Sequence, residues 1–95
     1  MNFRIPLLAL SLSGLSLPAL AEPPAIKAGD TLPTVLESYQ GKRVAVRLQS
    51  GDELTGKVRA VTKDVLHLGE LTGREFFDAV IDLHKVSAVV VRTRE

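Results

Sequence analysis

The chain has 95 residues, four aromatic side chains, no cysteine, and 12 basic against 11 acidic side chains. That length admits one domain, the missing cysteines exclude a disulfide miniprotein, and an apolar fraction of 45% excludes a chain too polar to collapse. A net charge of +1 argues against a protein whose main work is neutralising phosphates, unless the basic residues gather on one face.

Residues 1–21 read as a cleavable secretory signal. Arg4 opens it, Ile5 to Leu17 form its hydrophobic stretch, and Ala19-Leu20-Ala21 make a small-residue exit with cleavage expected after Ala21. Ser11, Ser13, Gly14 and Ser16 interrupt the stretch and Pro6 and Pro18 bracket it. It is too short and broken to span the roughly 30 Å of a bilayer core, so no stable membrane insertion is expected after cleavage. The expected destination is the periplasm or the exterior. Without a cysteine, lipidation does not arise. Removing 21 of the 95 residues takes away one basic side chain and no acid, leaving 74 residues with 11 of each sign. A domain this small buries only about 60% of its unfolded surface and is marginal without a staple. Disulfides are absent, and His67 and His84 with no cysteine nearby make no metal set, so self-association is the expected staple.

Residues 22–30, with two consecutive prolines, predict an extended leader to a domain over 31–95. Over 31–40, Leu32, Val35, Leu36 and Tyr39 recur with helical spacing, with Asp30 or Thr31 as N-cap, Pro33 in the first turn and Gly41 past the end. This predicts one short amphipathic helix. From Lys42 the period falls to two: Val44, Val46 and Leu48 alternate with Arg43 and Arg47, Ser50-Gly51-Asp52 turns the chain, and Glu53 to Thr62 returns as a second strand. Gly56 inside that strand predicts a sharp bend or a close backbone approach. Lys63-Asp64 turns into a third strand, Val65 to Leu68. A loop from Gly69 to Gly73 leads to a fourth, Arg74 to Leu83, and Leu83-His84-Lys85 turns into a fifth, Val86 to Thr93. The Ala88-Val89-Val90-Val91 run is apolar on both faces, an aggregation hazard unless closure, a helix or another subunit covers it.

One helix followed by five bent strands resembles the Sm-like fold. The first Sm motif is resembled by Val46-x-Leu48-x-Ser50-Gly51-x-x-Leu54-x-Gly56-x-Val58-x-x-Val61, and His84-Lys85-Val86-Ser87-Ala88-Val89 is similar to the turn and last strand of Hfq. The resemblance implies a small barrel whose five antiparallel strands close, and a ring in which the fourth strand of one subunit pairs with the fifth of the next. Phe76, Phe77, Val80 and Ile81 would then face Val89, Val90 and Val91 of a neighbour. The family's uridine pocket uses an Asp and an Asn whose positions fall at Thr62 and Leu66. Leu66 offers no hydrogen bond to a base edge and Thr62 no carboxylate. The Tyr-Lys of the Hfq run falls at Asp82-Leu83, and only its His is matched, as His84.

No catalytic constellation is visible. Asp78 and Asp82, four apart on one strand, lie about 13 Å apart at the rise of an extended chain, too far for an acid–base pair. Glu70, Glu75 and Asp78 gather near the hairpin loop as solvated carboxylates. His84 reads as a turn histidine and His67 as an outward strand residue. Arg43, Arg47, Lys57 and Arg59 form a basic face on the first hairpin, with cross-strand bridges to Asp52 or Glu53 expected. The sequence therefore predicts an exported, non-enzymatic, mainly β homo-oligomer without cofactor or metal, acting as a binding or scaffolding module. The alternative is a nucleic-acid binder using Arg43, Arg47, Lys57, Arg59 and His84 without the usual pocket. A third reading has a ligand peptide adding a strand to an open edge.

Overall fold

The structure is a computed structural model, and the described residues run from Leu20 to Arg94. Of the expected secretory segment, all but Leu20 and Ala21 lies outside them.

Helix α1, Leu32–Glu37, starts at a reciprocal cap: Thr34 N–H donates to Thr31 Oγ1 at 3.4 Å and Thr31 N–H donates to Thr34 Oγ1 at 2.8 Å. It is shorter than the helix expected over 31–40. The Ser38 backbone N–H and hydroxyl both donate to the Val35 carbonyl, at 3.1 and 2.6 Å, which tightens the last turn and ends it. The apolar stripe survives the change, because the following turn still buries Tyr39 beside Leu36.

Five antiparallel strands follow: β1 Arg43–Leu48, β2 Glu53–Val61, β3 Val65–Gly69, β4 Ala79–Asp82 and β5 Val86–Val90, in the order β4-β3-β2-β1-β5. Alternation decides the faces. Val44, Val46, Val58, Leu66, Leu68 and Ile81 turn inward to a core completed by Leu36, Tyr39, Leu71, Leu83 and Val86. Two register breaks bend the sheet, at Arg47/Leu48 against β5 and at Val58/Ala60 against β3. Gly56 marks the close approach its position predicted: a Cβ there would stand 2.8 Å from the Gly69 carbonyl oxygen and 3.1 Å from Leu71 Cδ2.

Two expectations are corrected. The sheet does not close within one chain, since β4 and β5 are its two outer strands and no ladder joins them. The fourth strand is confined to Ala79–Asp82 rather than Arg74 to Leu83. Residues 71–77 are held by local bonds instead. Arg74 N–H donates to the Leu71 carbonyl and Phe77 N–H to the Arg74 carbonyl, both at 2.9 Å, and Leu71 N–H donates to the Phe77 carbonyl at 3.2 Å. Leu71 is thereby tucked into the core, and Phe76 and Phe77 are left on the loop.

Candidate functional site

Three features of the surface carry chemistry: the two sheet edges, one end of the sheet where two turns meet, and a basic cluster on the outer face. On the β4 edge Val80 is 76% exposed, and on the β5 edge Val90 is 50% exposed. The adjacent loop presents Phe76, fully exposed, and Phe77, 59% exposed, with the Arg74 guanidinium 5.7 Å from the Phe77 ring centroid. Of the expected interface residues, Phe76 and Phe77 on the loop, Val80 on β4 and Val90 on β5 thus face solvent. Ile81 faces the core, and Val89 and Val91 are half-buried against it, so within one subunit these three are already spoken for by packing.

At one end of the sheet, the Lys63-Asp64 turn meets the 3-10 turn Leu83–Lys85. His84 Nε2 lies 2.9 Å from Asp64 Oδ1, and Leu83 N–H donates to the Asp64 carbonyl at 2.9 Å. Gln49 crosses to the same place. Its N–H donates to the Lys85 carbonyl at 2.8 Å and its side-chain amide to the His84 carbonyl at 3.2 Å. His84, singled out from sequence, therefore belongs to a polar cluster with Asp64, Gln49 and the flanking lysines Lys63 and Lys85. Asp64 and Gln49 were not picked out from sequence. A polar residue in each of three turns has no periodicity, and only the fold shows that the turns converge. Of the two positions equivalent to the uridine pocket, Leu66 has no exposed surface and Thr62 is occupied locally, its Oγ1 accepting from Asp64 N–H at 3.1 Å and Val65 N–H at 2.9 Å.

The basic face divides. Arg47 pairs across the strands with Glu53 at 3.4 Å, the kind of bridge the alternation implies. Arg43, Lys57 and Arg59 instead converge on Glu70, which follows β3. Lys57 Nζ lies 3.7 Å from Glu70 Oε2, Arg59 pairs with the same oxygen, and Arg43 donates to the Glu70 carbonyl at 2.5 Å. Glu70 is held at φ 50°, a left-handed conformation that side chains rarely adopt. Its N–H donates to Asp78 Oδ1 at 3.3 Å, while Asp78 Oδ2 lies 2.8 Å from His67 Nε2. The His67 hydrogen bond, followed by that of the Glu70 N–H, lowers the Asp78 pKa below its ordinary 3.8. His67 on β3 and Asp78 at the far end of the loop thus pin the loop to the outer face.

Beside this cluster runs a groove of about 880 Å³ with Ala45, Thr55 and Val90 among its lining residues and Arg43, Lys57 and Arg92 as cations within it. Ala21, the last residue of the expected signal, also lines it, buried, and donates its N–H to the Arg92 carbonyl at 3.1 Å, so cleavage after Ala21 would remove that wall and free the Arg92 carbonyl. Among the described residues no group of three or more His, Cys, Asp or Glu is placed to hold a metal ion.

The strand order, with the first and last strands of the sheet contributed by β4 and β5, can be compared with known proteins. Its backbone matches the crystal structure of an SmAP (LSm) protein from Methanococcus vannielii with a TM-score of 0.60, over 70% of this chain and 100% of that one. The chain has an Sm-like fold. Sequence identity across the match is 20%, so the likeness is one of fold. The sequence itself matches no protein-family model and no curated protein. Within the Sm-like frame, the cluster of Asp64, His84 and Gln49 lies where the turns after β2 and β4 come together.

Proposed function

We propose that this Sm-like chain is an exported, non-enzymatic module that assembles with copies of itself into a ring and serves as a binding or scaffolding platform. One observation carries the reading: a bent sheet ends on both sides in unpaired strands that expose Val80 on β4 and Val90 on β5. Unpaired apolar edges template further pairing, and a heterologous contact between two different edges closes into a ring when its rotation permits. For a domain of this size the added interface also supplies the stabilisation that a small core lacks. Export rests on residues 1–21, and cleavage after Ala21 would leave Glu22, whose carbonyl accepts from the Tyr39 hydroxyl at 2.9 Å, as the first residue.

The test is native mass spectrometry of the protein recovered from the periplasm or medium. The expected spectrum shows a chain starting at Glu22 in a closed oligomer, and a Val90→Lys chain with the same start reduced to monomer. An unchanged oligomer for Val90→Lys, or a monomeric parent, refutes the ring.

A second reading, nucleic-acid binding, draws support from the cluster of Lys63, His84 and Lys85 at one end of the sheet. Arg43, Lys57 and Arg59 serve it less well because Glu70 engages all three. Binding of short RNA that weakens steeply with salt favours this reading, and no binding at low salt removes it.

A further inference from the structure

We infer that the groove beside the end of β5 is a socket for the Phe76–Phe77 tip of a neighbouring copy. The inference rests on the ring reading and adds to it a specific side-chain lock beyond strand pairing.

Direction comes first. Every ladder in the sheet is antiparallel. If a neighbour's β4 adds to β5 in the same sense, the start of that β4 lies against the end of β5. The aromatic tip immediately precedes β4, and the groove reaches Val90 and Arg92 at the end of β5. In that arrangement the tip and the groove lie at the same end of the shared ladder. A chain has no means of filling its own socket by this route, because β4 and β5 are opposite edges of its sheet.

The chemistry agrees. Two exposed phenyl rings need an apolar floor, and the small side chains of Ala45 and Thr55 beside Val90 leave room for one. Arg43 and Lys57 in the groove are held by Glu70, so Lys42 and Arg92 are the groove cations outside those contacts, and a guanidinium such as Arg92 is attracted to a ring face as Arg74 is to Phe77. Charge runs the same way: the tip carries Glu75 and Asp78 against Arg74, whereas the groove carries Lys42, Arg43, Lys57 and Arg92 against Glu70. An acidic, aromatic knob thus faces a cationic, small-residue socket. Among those residues the groove carries no aromatic platform on which bases would stack, which favours the knob over single-stranded nucleic acid.

The chain has no cysteine, so engineered pairs report cleanly. Phe77→Cys is combined with Val90→Cys, with Arg92→Cys, and with Glu37→Cys on the helix as control, and each is oxidised at the concentration where the parent is oligomeric. The expected result is a reducible ladder of dimers and higher species for one or both of the first two pairs and none for the control. Phe76→Ser/Phe77→Ser, which alters only loop side chains, should raise the concentration at which the ring dissociates by about tenfold or more for each ring lost. An oligomeric parent with no ladder above control and an unmoved dissociation point overturns the socket while leaving the ring standing. A monomeric parent overturns both. Loss of the ladder when a short oligonucleotide is added to an intact ring assigns the groove to nucleic acid and likewise overturns the inference.

Discussion

Gly56→Ala probes the bend that shapes the whole sheet. A methyl group at this position would sit 2.8 Å from the Gly69 carbonyl oxygen, with Leu71 Cδ2 at 3.1 Å and Leu68 Cβ at 3.4 Å. The first of these is backbone in a ladder, where β2 residue Lys57 pairs with Gly69, so it has no rotamer in which to retreat. Forcing an extra carbon into such a site costs about 1–3 kcal/mol, partly offset by the roughly 0.5–1 kcal/mol that alanine gains over glycine in an extended segment. The net expectation is about 1–2 kcal/mol. A domain near this length holds on the order of 4–11 kcal/mol in total, and each kcal/mol moves the melting midpoint by roughly 4–8 °C. Gly56→Ala should therefore melt about 5–15 °C below the parent by circular dichroism, with both measured at one fixed protein concentration so that any self-association contributes equally. Gly73→Asn is the control: Gly73 has φ +83° and nothing within 4 Å of a Cβ, and asparagine tolerates that backbone, so its midpoint should move by only a few degrees. A Gly56→Ala midpoint at or above the parent's would refute the claim that β3 and its loop close against this residue.

Leu66→Asn, which restores the residue type of the family's uridine pocket, should destroy folding rather than create a pocket, because the Leu66 side chain is wholly buried. The lost packing and the buried amide together cost about 3 kcal/mol or more, and a cooperative melt at the parent's midpoint with uridine-dependent binding would refute this. Asp78 supplies the pH dependence. Its folded pKa lies below the unfolded value of 3.8, so its contribution is fully present above 3.8 and is lost as pH falls through the lowered folded value. The melting difference between the parent and Asp78→Asn should accordingly shrink as the pH falls below 3.8, and a difference that grows through that range would refute the role given to His67 and the Glu70 N–H.

Much of the architecture is legible in the residue pattern because its causes are local. The Thr31 cap, the alternation of Val44, Val46 and Leu48, the Gly51 turn at φ +97° and the Gly56 approach each follow from a few neighbouring residues. The start of β4 was not legible for the opposite reason. Phe77, Ala79 and Ile81 alternate as a strand would, yet the bonds among Leu71, Arg74 and Phe77 fold the chain into a compact loop that buries Leu71. Glu70, expected as a solvated loop carboxylate, instead pairs with Lys57 and Arg59, and its role was hidden for a similar reason. As one carboxylate in a loop it has no motif, and its position as counter-charge to Lys57 and Arg59 depends on how far β3 runs before the chain turns.

The open sheet follows from the same geometry. The register breaks fall in β1 and β2, in the middle of the sheet, as does the close approach at Gly56, and the outermost strands are only four and five residues long. Curvature placed there brings the core residues of all five strands onto α1 and Tyr39 without bringing β4 onto β5. The sequence expectation left the apolar run Ala88 to Val91 to be covered by closure, a helix or another subunit. The fold divides that run instead: Val89 and Val91 pack inward, and Val90 is left half exposed on the free edge. A two-sided apolar strand of this kind serves its own core with one face and stays open on the other. In a domain this small, whose core buries a modest share of its surface, that open side is where the proposed ring would add burial.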